Sequence, residues 1–546
     1  MRIFYISAIL LALLILSNKS LTAQRTCDHT ITGNVLMIDG ASGIYKPGDN
    51  VCLQGSHKDY ILIQNVHGTA EQPITFINKD SAIIINTDNY YGIKVAHCSN
   101  IIVSGNGVDG IKYGFQVQRV GDGTGLAVGD LSTDVEIEFM EIANTPIAGV
   151  YAKTDPTCND FSATRDKFTM YNFKFHDCYV HDVADEGLYI GSSKYSGQHL
   201  TGQCDTIVYP HVLVGTRIYN NIIENTGWDG IQVSSAEHDC KVYNNTIRND
   251  SYAGWPGQMS GMLIGGGSRC EVYNNKIYDG KGDGIDVFGL GSTKLFNNLI
   301  VRAGRTYQPN DPVAFKHGIY LGESVSESDE VNKIYNNTVI SPKSFGITYA
   351  NDENKMGYII NNAVINPGYT DAGESAFINI SVDESLVEVS NTYSNSSADA
   401  AKFVDADNDN YDLKATSPLV DKGMELVDEG IVFDINSRVR PFHTYTDIGA
   451  YECQDPHISI TENHTQPAAI FPNPADGSFS IYYDIPIKKT TIEIFNMQGQ
   501  KVMKAIESVS QIKQKFDTSN LPDGIYTIAI TFDGKIETYH LAIIHE

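Results

Sequence analysis

Acidic, basic and aromatic residues recur beside glycine through the middle of the chain, and these are the residues whose types and spacing could do chemistry. Nine segments read Gly-apolar-x-apolar, beginning at Gly92, Gly114, Gly149, Gly187, Gly230, Gly261, Gly284, Gly318 and Gly346. The residue before each glycine reads Tyr91, Tyr113, Ala148, Glu186, Asp229, Ser260, Asp283, His317 and Phe345. The x position reads Lys94, Gln116, Tyr151, Tyr189, Gln232, Leu263, Asp286, Tyr320 and Thr348. If the segments stack, each series becomes a column with a spacing of about 4.8 Å. Carboxyls, a histidine, Lys316 and tyrosines would then share one flank.

Two reactions use such a set. Elimination from a uronic acid polymer needs a cation against the sugar carboxylate and a base for the C5 proton. Glu186, Asp229 and Asp283 would hold a calcium ion for the first task. Lys316, His317 or Arg305 would take the proton, and Tyr320 would act as acid. Hydrolysis needs two carboxyls about the glycosidic bond, and Asp229, Asp283 and Asp286 are the candidates. Tyr189, Gln232, Trp255, Arg305 and Tyr307 are suited to gripping a sugar or uronate. The last three fall in or beside the long insertions that flank these coils, which are placed to wall a cleft. A second reading competes at every acid before glycine, because Asp favours tight turns through its own backbone bonds.

The elements that must position these residues are short. The closest spacings in the glycine series are 22 residues (Gly92 to Gly114) and 23 (Gly261 to Gly284). A second pattern, an apolar or aromatic residue followed by Asn-Asn, recurs at Asn220-Asn221, Asn244-Asn245, Asn274-Asn275, Asn297-Asn298, Asn336-Asn337 and Asn361-Asn362. A unit of this length holds two or three short strands, too little to bury a core alone, so it must stack on its neighbours. Aliphatic residues on either side of x fit a strand with one buried face. The paired Asn fit a turn, and their side chains can bond from coil to coil as an amide ladder.

These repeats resemble the right-handed parallel β-helix family of pectate lyase-like proteins, over roughly residues 30–400. The resemblance implies an all-β solenoid and leaves the chemistry open, since the family includes lyases, hydrolases, epimerases and non-catalytic proteins. Ser417 to Gly423, Arg438 to Pro441 and Asp447 to Glu452 resemble the closing segment of secreted bacterial β-helix proteins, which implies a cap on the open end of the solenoid, residues 401–453. A catalytic role for Asp447 or Glu452 is the weaker alternative.

After Cys453 a polar linker, 454–467, leads to Phe471-Pro472-Asn473-Pro474 and a run of alternating segments that predict a small β-sandwich. The start at Phe471, Ile494 to Val502 and Leu521 to Tyr526 are similar in order to the type IX secretion C-terminal sorting domain of Bacteroidetes, here 468–546. That similarity implies passage through the type IX machinery, removal of the module, and release or attachment at the outer surface.

The composition agrees. Of 546 residues, 42% are hydrophobic and 19% charged, which excludes a disordered chain, and the net charge of −27 argues against a nucleic-acid partner. Arg2, the apolar run Ile9 to Leu16 and the small residue Ala23 predict a secretory signal over 1–23. Nine Cys fit an oxidising destination, with one thiol at least unpaired. Cys240 and Cys270 each stand three residues before the Tyr of a V-Y-N-N repeat and would meet on neighbouring strands. Cys27–Cys52 and Cys158–Cys204 are further candidates. The expectation is an exported monomer acting on an extracellular, uronate-containing polysaccharide, as a lyase ahead of a hydrolase, with a non-catalytic cell-surface glycan-binding or adhesive solenoid as the alternative.

Overall fold

The computed structural model describes residues 26–304, 315–323, 327–368, 377–454, 468–471, 473, 475–483, 490–496, 500–507, 513–532 and 535–545. The predicted signal segment, most of the linker, and Arg305 and Tyr307 lie outside the described residues. The chain divides after Gln454 into two compact units.

The first unit is a solenoid of three long parallel sheets, with 13, 12 and 12 strands among the described residues. Each coil gives one strand to each sheet. The 13-stranded sheet carries the Val-Tyr that precedes Asn-Asn (Cys240–Tyr243, Cys270–Tyr273). The second sheet follows the Asn pair (Thr246–Arg248, Lys276–Tyr278). The third, hereafter the cleft sheet, holds the Gly-apolar-x-apolar strands (Ile231–Val233, Ser260–Ile264, Asp283–Val287, Ile319–Leu321). One continuous apolar core fills the inside, built from inward Ile, Val, Leu and Phe of all three sheets.

Two features explain why this sequence coils. The first Asn of each pair takes a left-handed conformation, φ 57° at Asn220 and 55° at Asn274, which Asn tolerates through local side-chain bonds. The second Asn turns inward and is buried. Its side-chain amide donates to the next in an unbroken series: Asn221 to Asn245, Asn245 to Asn275, Asn275 to Asn298, Asn298 to Asn337 and Asn337 to Asn362, at 2.9–3.0 Å. The expected ladder is present, and it also accepts the backbone N–H of the preceding Asn at each step.

The second feature is the glycine before each cleft strand. A Cβ on Gly230, Gly261 or Gly284 would lie 2.7, 2.5 and 2.4 Å from the branched side chain of Ile247, Ile277 and Ile300 on the second sheet. The corner is too tight there for any other residue. Gly114 does not belong to this column. Phe115–Val120 is a strand of the second sheet, and the place expected for Gln116 is filled by Ala127, paired with both Lys94 and Tyr151.

All three expected disulfides are present, Cys27–Cys52, Cys158–Cys204 and Cys240–Cys270. The last joins registered neighbours on adjacent strands. Cys98, Cys178 and Cys453 are buried and take no part in these three disulfides.

The segment after residue 400 runs along a flank of the coils. Asn297, Asn336 and Asn361 donate to the carbonyls of Phe433, Asp447 and Met424, and Lys333 pairs with Glu429 at 2.7 Å. These outer amides lie on successive coils, so the segment covers several coils rather than the open end alone. Asp447 and Glu452 are buried there, bonded to backbone N–H groups, with Arg440 3.3 Å from Glu452. They brace the segment.

The second unit is a β-sandwich of a three-stranded and a four-stranded antiparallel sheet, closed over Phe479, Ile481, Ile494, Ile528 and Leu541.

Candidate active site

The cleft sheet brings the expected residues together in register. Tyr189 pairs with Gln232, Gln232 with Leu263, Leu263 with Asp286, Asp286 with Tyr320 and Tyr320 with Thr348. Within strand Asp283–Val287, Ile285 and Val287 enter the core while Asp286 between them is half-buried on the other face. A cavity of about 290 Å³ opens over this stretch, lined by Ser193, Gln232, Ser260, Asp286, Phe288 and Lys316.

The column before the glycines is adjacent to the cavity but not open to solvent as expected. Glu186, Asp229 and Asp283 are 1, 0 and 6% exposed. The insertion after Asp250 closes over them: the Ser251, Tyr252 and Ala253 N–H groups bond the carbonyls of Trp228, Thr226 and Gly227. Asp283 is held by Lys316 Nζ at 2.5 Å and by the backbone N–H of His317. Lys316 Nζ also donates to the Met259 carbonyl at 3.2 Å. Asp229 Oδ1 accepts from the N–H and hydroxyl of Ser260 at 2.7 and 2.8 Å.

Burial favours the protonated form of four acids in and behind this wall, Glu186, Asp229, Asp250 and Asp286. It pushes the Glu186 carboxyl up to about 7 and that of Asp250, a buried acid behind Gly280, up to about 6. Asp229 and Asp286 are raised well above the usual carboxylate range, first by burial. For Asp286 the neighbouring Asp283 adds to this while Lys316 opposes it. Asp286 Oδ1 has no hydrogen-bond partner among the described residues, nor does Gln232 Oε1.

His317 lies beside this group as expected. Burial, with Lys316 adding to it against Asp283, lowers its pKa and favours the neutral ring. Its Nδ1 is 3.0 Å from the Thr348 hydroxyl, and the ring packs between Phe345 and Tyr320 with centroids 5.7 and 5.2 Å away. Nε2 has no partner among the described residues. The Tyr320 hydroxyl is kept protonated by burial and by Asp286 and Asp283. Tyr189 bonds Ser193 at 2.9 Å, with Lys153 Nζ 4.5 Å from the ring centroid.

Glu186, Asp229 and Asp283 are not assembled as a set of metal ligands. Ser260 stands between the last two and holds Asp229 Oδ1, Lys316 holds Asp283 Oδ2, and Asp229 Oδ2 has no partner among the described residues. Among the described residues the one group close enough to share an ion is Glu136, Glu138 and His176, on the 13-stranded sheet. His176 there is 3.3 Å from Glu136 and 2.8 Å from Asp177. Burial lowers its pKa, but those hydrogen bonds outweigh burial and leave it raised, as for an imidazolium among carboxylates.

Trp255 is 58% exposed and stacks on Trp228, with centroids 6.0 Å apart and ring planes 21° apart. These are the only tryptophans in the chain. Sequence reasoning singled out Trp255 but missed Trp228. Its signal was its rarity and its place next to Asp229.

Residues 200–394 match the family model described as right handed beta helix region, and 469–544 match the model of the secretion system C-terminal sorting domain. No curated protein matches the chain. Among solved structures it is similar to a GH136 lacto-N-biosidase from Eubacterium ramulus. The two are 14% identical, over 63% of this chain and 62% of that one, with a TM-score of 0.39. It is also similar to the enzymatically active domain of tailspike protein 2 of bacteriophage CBA120, at 10% identity, over 91% and 72%, with a TM-score of 0.35. Neither likeness bears on the chemistry. The family models and the three parallel sheets identify a right-handed parallel β-helix followed by a type IX sorting domain.

Proposed function

We propose that this exported β-helix cleaves an extracellular polysaccharide by hydrolysis in the cleft around Asp286. The observation that carries the reading is the place of Asp286: a half-buried acid at the cavity wall whose Oδ1 has no partner among the described residues, where burial and Asp283 favour its protonated form. A general acid needs its proton at neutral pH, and burial with like charges nearby supplies that condition. Asp286 would protonate the departing glycosidic oxygen. In place of the second carboxyl that such hydrolysis ordinarily uses, the neutral His317, with Nε2 unpartnered, would take the proton of the attacking water. The Lys316–Asp283 pair would fix the two coils that carry them. The Trp228–Trp255 stack offers a flat apolar face to a sugar ring beside the cleft.

A cleft lined by Asp286, with four buried acids behind it and Lys316 already paired with Asp283, suits a neutral sugar at the scissile bond better than a uronate carboxylate. Elimination stays the second reading on one observation, that His317 is also the kind of base that a C5 proton requires.

The test is incubation of the mature protein with a panel of uronate-containing and neutral polysaccharides, following reducing ends and the ultraviolet absorbance of unsaturated ends. Hydrolysis releases reducing ends alone. Asp286→Asn is expected to lower turnover by about 100-fold or more at an unchanged melting temperature. Unsaturated ends would replace hydrolysis by elimination. Retention on a polysaccharide without turnover would leave a binding protein.

A further inference from the structure

A second cavity, of about 660 Å³, lies on the excursion that leaves the solenoid beside the cleft. Its walls come from two stretches tied by the Cys158–Cys204 disulfide. One carries Phe161, Arg165 and Lys167, and the other carries Ile207 and Tyr209 in and just after the hairpin Gln198–Leu200 and Thr206–Val208. The Arg165 guanidinium lies 3.9 Å from the Tyr195 ring centroid and 5.6 Å from that of Tyr209. Its Nη2 donates to the Tyr195 carbonyl at 2.6 Å, and its buried Nε has no partner.

The charge around it is unusual for this chain. Every other arginine among the described residues is paired with an Asp or Glu. Arg165 is not, in a protein of net charge −27. Lys167 beside it makes no ion pair among the described residues, although Asp160 and Asp166, the latter also lining the cavity, lie close enough to feel its charge. The intervening Asp166 is turned onto the Thr164 hydroxyl at 2.5 Å. Tyr209 and Ile207 are 51 and 62% exposed at the rim. A planar cation held on an aromatic ring, with a second cation and an apolar rim, matches a ligand that bears a carboxylate on a compact, partly apolar ring.

We propose that this cavity is a subsite for an acidic sugar, the carboxylate engaging Arg165 and Lys167 and the ring lying against Tyr209. Ser193 lines the cleft and Tyr195 carries Arg165, so one polymer can reach both places. The inference rests on the reading of the protein as acting on a polysaccharide. It adds that the polymer carries uronate residues away from the bond that is cut.

Calorimetric titration of the mature, disulfide-intact protein with oligogalacturonate and alginate oligosaccharides tests this, against neutral and sulfated oligosaccharides of equal length. Acidic oligosaccharides are expected to bind at least about tenfold more tightly than neutral ones, with affinity falling as salt is raised. Arg165→Gln is expected to weaken them about tenfold or more. Lys167→Gln, at an exposed position where folding is not in question, should weaken them several-fold. Equal affinity for neutral and acidic sugars, no binding of either, or no effect of Lys167→Gln and Arg165→Gln would overturn the proposal. Binding of sulfated in place of carboxylated sugars would overturn the carboxylate assignment. Cleavage that fails while Arg165-dependent binding persists would count against hydrolysis alone.

Discussion

Glu186 is almost fully enclosed, and its surroundings favour the protonated form up to about pH 7. In the unfolded chain the same carboxyl ionises near 4.5. Between these values the native state binds the extra proton, so its contribution to stability falls as pH rises from the unfolded value through the folded one. Glu186→Gln, which keeps the shape and removes the ionisation, should match the wild type near pH 4 and exceed it by up to about 3 kcal/mol at pH 8. Urea titrations at both pH values check this, and an equal effect at both would show that Glu186 is not the group responsible. The types of these residues were legible in the sequence, but their exposure was not. A residue before a turn glycine reads as outward-facing, and nothing in Asp229 or Asp283 itself reveals that the loop after Asp250 crosses over them. Lys316 likewise read as a base, whereas the fold uses it to hold Asp283.

The Asn ladder and the glycine corner set what each coil tolerates. Asn275→Ala would leave the backbone N–H and side-chain amide of Asn245 and the Val242 carbonyl without buried partners, at a cost of about 3 kcal/mol. Asn274→Ala loses the residue suited to its left-handed turn and should cost about 1 kcal/mol. Comparison of urea midpoints distinguishes the two, and similar losses would mean that the ladder adds no more than the turn. Gly284→Ala would put a methyl 2.4 Å from both Ile300 and the Gly318 carbonyl, so it should destabilise by more than about 2 kcal/mol. The ladder could be read from Asn-Asn alone, because so polar a pair has few other uses inside a repeat. The register at Gly114 could not. Phe115-Gln116-Val117 alternates just as a cleft strand does, and only the core decides which of two sheets receives it. The Asn side that the closing segment covers was hidden for a similar reason, since its contacts are to backbone carbonyls.

On the scale of the molecule, the two units have separate cores on either side of Gln454. A chain ending at Gln454 should therefore keep the solenoid's circular dichroism and melting temperature while losing type IX export. A large fall in the melting temperature would show that the sandwich supports the solenoid. The division between solenoid and sandwich was visible in the sequence as a change of pattern. What no repeat could reveal was the lateral excursion that carries Arg165, because it interrupts the period rather than obeying it.

The even pairing of strands along all three sheets has one more outcome. A whole rung could be removed, for example the 23 residues from Asn275 to Asn297, and the cut faces would meet flush, with Asn298 taking the place of Asn275. The rod would be one step shorter and intact, yet without Asp283 and Asp286. Length and the acidic cleft are thus inherited separately in this architecture, and relatives of equal girth can differ in whether they carry the rung with Asp283 and Asp286.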